Sequence, residues 1–323
     1  MTTDPLPAFY KKARPRDSRS ITIIKTLLLL ALAFGVAAFI IFSFGRVAFE
    51  SHSPEELFAK ITTGRPEVRR MAAVEWGRLL QEDAGTPAPT TVQTESLGGL
   101  LESERRLGTN ADRQYLASLA NLLGFSASPE VARGLIDRIW APSDAGPPPD
   151  ELRIYGLLSL ARLGLRTPAE LQAALDALES ESNSVRISGL YALGFLLQQL
   201  ADSPSAADHP LKNQELMLRE KVRGFVSDSS EDVRLNAIFA LARSRDPQSA
   251  ALIDRIVAGI TTSGGELSSQ QFEVYKTALR LGVQLEDERL QSAIHRVSME
   301  HPNLKLRAYV KDLLKGKKKW KGH

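Results

Sequence analysis

The chain has no cysteine among its 323 residues, so disulfides and thiolate metal sites are both excluded. Histidine is scarce. His52, His209, His295, His301 and His323 are scattered, with no HExxH or comparable metal spacing. His295 and His301, six residues apart near a helix end, read as surface residues rather than ligands. The phosphate-cradling GxxxxGK[ST], the dinucleotide GxGxxG and the nucleophile-elbow GxSxG are all missing. Carboxylates are plentiful, as in Glu179-Ser180-Glu181 and Glu286-Asp287-Glu288, but they fall at predicted helix ends. There they favour the helix dipole or solvate the surface. No catalytic residue, metal or cofactor is expected.

Charge is distributed unevenly. The formal net charge of +3 and the pI near 9.0 conceal +4 in residues 1–25 and +7 in residues 305–323. Residues 26–304 therefore carry −8. An acidic body with two basic ends does not present the continuous basic face that nucleic acid requires, and no nucleic-acid partner is expected.

What the sequence does have is a repeat. In NSVRISGLYALGFLL, from Asn183 to Leu197, the residues Val185, Gly189, Ala192, Leu193, Leu196 and Leu197 recur at spacings of three and four. That spacing makes one apolar stripe on a helix. Gly189 and Ala192 on the stripe are small enough to admit a neighbouring backbone. The pattern returns in PEVRRMAAVEWGRLL (66–80), DELRIYGLLSLARLG (150–164) and EDVRLNAIFALARSR (231–245). Weaker copies lie at 112–124, 272–282 and 303–314. An early arginine marks most copies, at Arg69, Arg113, Arg153, Arg186, Arg234 and Arg307, with Tyr275 in the matching place of the sixth. The successive steps are 44, 40, 33, 48, 41 and 32 residues, each room for two helices and two turns. A period near 40 residues predicts an all-α solenoid of about seven helix pairs spanning 53–315.

These copies resemble the HEAT repeat, and the VR..A..ALG form is similar to the short bacterial subtype also found in phycobilin lyases. The resemblance covers roughly Ser53 to Leu314 and implies a HEAT-like α-solenoid. It also implies that the early arginine pairs with an acidic group or carbonyl of the neighbouring repeat, a structural role rather than a ligand ladder. The motif residues are packing residues, so the resemblance implies little about activity.

Ahead of the repeats, 1–20 reads as a disordered basic tail and 21–45 as a transmembrane helix, with 46–52 as a juxtamembrane linker. From Thr26 to Gly45 no residue is charged, and twenty helical residues span the hydrocarbon core. Ala31 and Ala33 would suit a signal-peptidase site, but the apolar run continues to Phe44, past the length of a signal core. Lys11, Lys12, Arg14, Arg16, Arg19 and Lys25 precede the span, against Arg46, Lys60 and Arg65 after it. The positive-inside rule then predicts a single-pass inner-membrane protein, N-terminus cytoplasmic and solenoid periplasmic. After the last apolar position, Leu314, a basic tail (316–323) carries Lys315, Lys317, Lys318, Lys319, Trp320 and Lys321 at its junction and along it. It reads either as a solvated end or as a contact for anionic lipid or an acidic partner.

The function expected from these features is a membrane-anchored, non-enzymatic scaffold or adaptor that binds another protein. The alternatives are an enzyme resembling the phycobilin-lyase branch and a structural subunit of an envelope or transport complex.

Overall fold

Helix starts in this chain are written in capping chemistry. Thr90 with Gln93, Thr167 with Glu170 and Ser268 with Gln271 form reciprocal capping boxes, and Asp112 and Asp287 cap through one carboxylate oxygen. The computed structural model describes residues 52–140, 148–203, 205 and 208–320. Among them are fourteen α-helices and no strand. They follow one another in seven pairs: α1 (Pro54–Thr63) with α2 (Pro66–Glu82), α3 (Thr91–Arg105) with α4 (Arg113–Leu123), and α5 (Pro129–Trp140) with α6 (Asp150–Leu163). Then come α7 (Pro168–Leu178) with α8 (Asn183–Asp202), α9 (Glu215–Gly224) with α10 (Glu231–Arg243), α11 (Ser249–Thr262) with α12 (Ser269–Gln284), and α13 (Glu288–Glu300) with α14 (Leu304–Trp320).

Each first helix packs on its own second helix, and each second helix packs on the second helix of the next pair, from α2 through α14. Stacking of amphipathic pairs is what buries an apolar face that no pair could bury alone. The apolar interior forms two clusters that meet in α10. Val233, Ala237, Ala240 and Leu241 belong to the one that begins at Leu57, whereas Phe239 and Ala242 belong to the one that ends at Val310. The fold is a helical-repeat solenoid.

Three expectations change. On the chain alone 83–93 reads as a loop with the next helix starting at Ser96; Thr90 instead caps α3 and starts it at Thr91, five residues sooner. The basic segment expected as a tail continues α14 as far as Trp320. Lysine is a good helix former, and cations near a helix C-terminus are favoured by its dipole. The third is the localisation. Among the described residues no helix is long and apolar enough to cross a membrane. The longest, α8, carries Arg186, Gln198, Gln199 and Asp202 and spends its apolar face on α6, α7 and α10. The expected span at 21–45, like the segment 1–20, lies outside the described residues. The single-pass inner-membrane assignment, with a periplasmic solenoid, is therefore corrected and set aside.

Helix α8 approaches its neighbours closely. A Cβ added to Gly189 would sit 3.0 Å from both the Ala174 carbonyl oxygen and the Ala177 Cβ on α7. One added to Gly194 would sit 2.8 Å from the Ala240 Cα and 2.9 Å from its Cβ on α10. By contrast, one added to Gly259 in α11 would meet nothing within 4 Å. Alanine exceeds glycine in helix propensity by about 1 kcal/mol. Gly259→Ala is therefore expected to raise the unfolding free energy by up to about that amount. Gly194→Ala must push two backbones apart and is expected to lose about 1–3 kcal/mol instead. Denaturant titration of both variants checks the pair; stabilisation by Gly194→Ala would mean that α8 and α10 are not in backbone contact.

Candidate functional site

The early arginine occupies one structural position. In seven second helices the fourth residue donates its backbone N–H to the cap carbonyl: Arg69, Leu116, Arg153, Arg186, Arg234, Phe272 and Arg307. Arg113 is therefore out of register. It is the exposed first residue of α4, and the buried neighbour Leu116 takes the ladder place. Phe272 likewise replaces Tyr275.

The guanidinium groups mostly turn back onto carbonyls that end the preceding helix. Arg69 Nε donates to Ile61 O at 3.1 Å, and Arg186 Nη1 to Ser180 O at 3.0 Å. Arg234 Nη1 donates to Asp228 O at 2.8 Å, and Arg307 Nη1 to Met299 O at 3.3 Å. A cation there satisfies carbonyls left over by the helix and complements its dipole. Two of the arginines also reach the next repeat. Arg69 lies over the Tyr115 ring at 4.8 Å, and Arg186 meets Asp228 at 3.4 Å. Arg153 pairs with Asp150 at 3.5 Å and lines a cleft of about 530 Å³ with Trp140, Gln172 and Asp176. This ladder fastens turns and offers little to a ligand.

A second series lies nine residues beyond the first five ladder positions; Leu281 and Gly316 stand nine beyond the other two. Its members are Arg78, Phe125, Arg162, Phe195 and Arg243, an alternation of cation and ring. Each follows a small residue: Gly77, Gly124, Ala161, Gly194 and Ala242. The small residues are buried, while the large ones reach partly or fully into solvent. The rungs touch. Arg162 lies 4.3 Å over the Phe125 ring, and Arg243 lies 4.7 Å and 4.9 Å over Phe195 and Tyr191. Tyr191 and Phe195 are themselves 4.9 Å apart. Arg162 Nη1 donates to Asn121 Oδ1 at 2.8 Å, fixing its plane.

Arg162 and Arg243 differ from Arg78, whose charge is met by Glu75 and Glu82. Among the described residues neither has a carboxylate in ion-pair contact, and the same holds for exposed Arg280 on α12. Burial holds Arg162 below its ordinary pKa, with Tyr191 and Tyr155 acting against the shift. Burial lowers Arg243 to about 10, opposed by Tyr191 and reinforced by the like charge of Arg280. An arginine pushed down by its surroundings, with a second arginine adding to the push, is short of negative charge. Tyr155, 38% exposed, completes the surface. None of these side chains stands out in composition. Their signal is the small–large dipeptide, which becomes readable once the helix starts are known.

The remaining expected residues contribute less. Lys315 is exposed and lies 3.5 Å from Asp312. Lys317, Lys318, Lys319 and Trp320 lie within the helical backbone of α14, and Lys321 falls outside the described residues. His295 is exposed as expected, but His301 is buried, because it ties two turns together. Its Nδ1 accepts from Asn303 N at 3.0 Å, and its Nε2 lies 3.0 Å from Ser263 Oγ. His209 repeats the device, with Nδ1 accepting from Leu211 N at 3.2 Å. Both imidazoles are held below the usual pKa, chiefly by burial.

One carboxylate pair sits inside the stack. Glu170 is fully buried and accepts from the Thr167 and Arg166 amides through Oε2. Its Oε1 and the Asp137 Oδ1 have no hydrogen-bond partner. Burial, and then the charge of Glu170, raise the Asp137 pKa to about 6, with Arg133 opposing.

No family model matches the chain, and no curated protein matches it. Among solved structures, YibA of Escherichia coli superposes with a TM-score of 0.31 at 14% identity, over 82% of this chain and 93% of that one. An engineered protein gives 0.31 at 13% identity, over 81% and 94%. A computationally designed armadillo repeat protein for modular peptide recognition gives 0.31 at 13%, over 80% and 98%. Superpositions this loose carry no argument, and the solenoid rests on its own helix pairs.

Two outcomes are expected. Arg186→Ala strips the Ser180 carbonyl of its donor and Asp228 of a cation, and should cost about 1–3 kcal/mol in a denaturant titration, with Arg186→Lys recovering only part. Asp137 has a folded pKa of about 6, above its unfolded value. Its contribution is therefore fully present below the unfolded pKa and is lost as pH rises through 6. Asp137→Asn should melt higher than the parent at pH 8, with the advantage fading toward pH 4.5. A pH-independent difference would show that Asp137 does not titrate in that window.

Proposed function

We propose that the chain is a non-enzymatic scaffold of HEAT type, which seats a segment of another protein along its second-helix layer. The observation that carries this reading is the continuous surface of Tyr155, Arg162, Tyr191, Phe195 and Arg243 across α6, α8 and α10. Aromatic residues and arginine are the side chains that dominate protein-binding energy. Here Arg243 stacks on Tyr191 and Phe195, and Arg162 on Phe125, so these side chains have little freedom left to lose on binding. The first-turn arginines serve the turns, whereas Tyr155 and Arg162 on this surface are exposed.

Site-specific photocrosslinking in cells that make the chain tests the proposal. A benzoylphenylalanine at Tyr155 should yield a discrete protein adduct, and one at Leu216, exposed on first helix α9, should not. Adducts from both positions alike, or none from Tyr155, would overturn it.

A further inference from the structure

The surface has a charge problem that defines its partner. Arg162, Arg243 and Arg280 stand on α6, α10 and α12 without a carboxylate in contact among the described residues, although residues 26–304 carry −8 overall. The acids of these helices gather elsewhere. Asp150, Glu151, Glu231 and Asp232 belong to first turns, Glu273 pairs with Lys276 at 2.9 Å, and nearby Arg245 is matched with Asp202. Cation–ring stacking supplies part of what is missing for Arg162 and Arg243, and Arg280 makes the local excess larger.

From this we infer that the surface is a binding site for an extended acidic peptide segment, whose carboxylates bridge Arg162, Arg243 and Arg280 while its other side chains lie on Tyr155, Tyr191 and Phe195. The inference rests on the scaffold reading above and names its partner's chemistry. The occupant comes from another chain. Residues 1–51 hold seven Lys or Arg against three Asp or Glu, and 321–323 add only a lysine, so this chain's own ends have the wrong sign. Nucleic acid would also bring anions and stackable rings, but a phosphate at every nucleotide is repelled by the acidic body, whereas a few spaced carboxylates are not.

The spacing follows from the repeat. Packed helices lie roughly 8–10 Å apart, and an extended chain rises about 3.3 Å per residue. About three residues therefore pass each second helix. Carboxylates should fall about three residues apart for Arg243 and Arg280, and about six for Arg162 and Arg243. A guanidinium receives a carboxylate through two parallel hydrogen bonds, which selects Arg over Lys at each rung.

The test is fluorescence anisotropy with the full-length chain and a labelled dodecapeptide carrying Glu at every third position. The Gln counterpart and a single-stranded dodecanucleotide are the comparisons. The Glu peptide is expected to bind at least tenfold more tightly than either. Arg243→Gln should weaken it about tenfold or more, and Arg280→Glu should do the same. Arg280 is exposed, so that variant decides the matter even where Arg243→Gln loosens the stack. Equal binding of the Glu and Gln peptides, no binding of the Glu peptide, or tighter binding of the oligonucleotide would overturn the inference. An adduct at Tyr155 together with any of those results would leave the scaffold reading in place and remove only the acidic partner.

Discussion

Close backbone contact between successive second helices is the constraint on which the rest of the solenoid depends. Gly194 admits the Ala240 backbone and Gly124 that of Ser159, each at a distance no Cβ could share, and Gly77 admits the Asn121 side-chain amide. The Ser159 hydroxyl closes its contact by donating to the Ala120 carbonyl at 2.7 Å. Dispersion between packed atoms falls steeply with a gap of even half an ångström, so small residues at these crossings set how much of each helix its neighbour can cover. The spacing they enforce is also what brings the side chain that follows each of them into reach of the next rung.

Arginine does three kinds of work in this chain, and position separates them. In the first turn it lies beside the carbonyl ends of the preceding helix, where its donors are consumed by backbone oxygens. Nine residues later Arg162 and Arg243 lie over rings, which take up their faces, and neither has a carboxylate in contact among the described residues. A third set is locked inside: Asp246, with no exposed side-chain surface, accepts from Arg223 at 2.5 Å and meets Arg219 at 3.6 Å. A buried carboxylate with two cations and the Gln248 amide at 3.0 Å pins α9 to the turn after α10. The three sets differ in what their guanidinium groups meet: backbone carbonyls, aromatic rings or a buried carboxylate.

The internal titrations act in opposite directions. Neutral, buried His209 and His301 favour the fold above the ordinary histidine pKa and cost it stability as pH falls below. Asp137 does the reverse around pH 6. The two effects overlap in mildly acid solution, where a fold with either alone would lean one way.

The sequence by itself determined the class of fold. Spacings of three and four in 183–197, repeated about every 40 residues, allow nothing but stacked helix pairs, because such a stripe has no other way to be covered. Ser53, Pro54 and Glu56 mark one helix start on the chain alone, and Thr90 with Gln93 was as legible, although it lay in a stretch that reads as loop. Two things needed the tertiary structure. One was register: Arg113 looks like its counterparts in the linear chain, and only the cap carbonyl that Leu116 bonds to shows which residue holds the equivalent place. The other was the alternation of Arg and Phe across repeats. Its members lie 33 to 48 residues apart in the chain and meet only because the backbone crossings bring them within about 5 Å. Local spacing encodes what a single helix does, whereas a surface shared by several helices exists only after they are stacked.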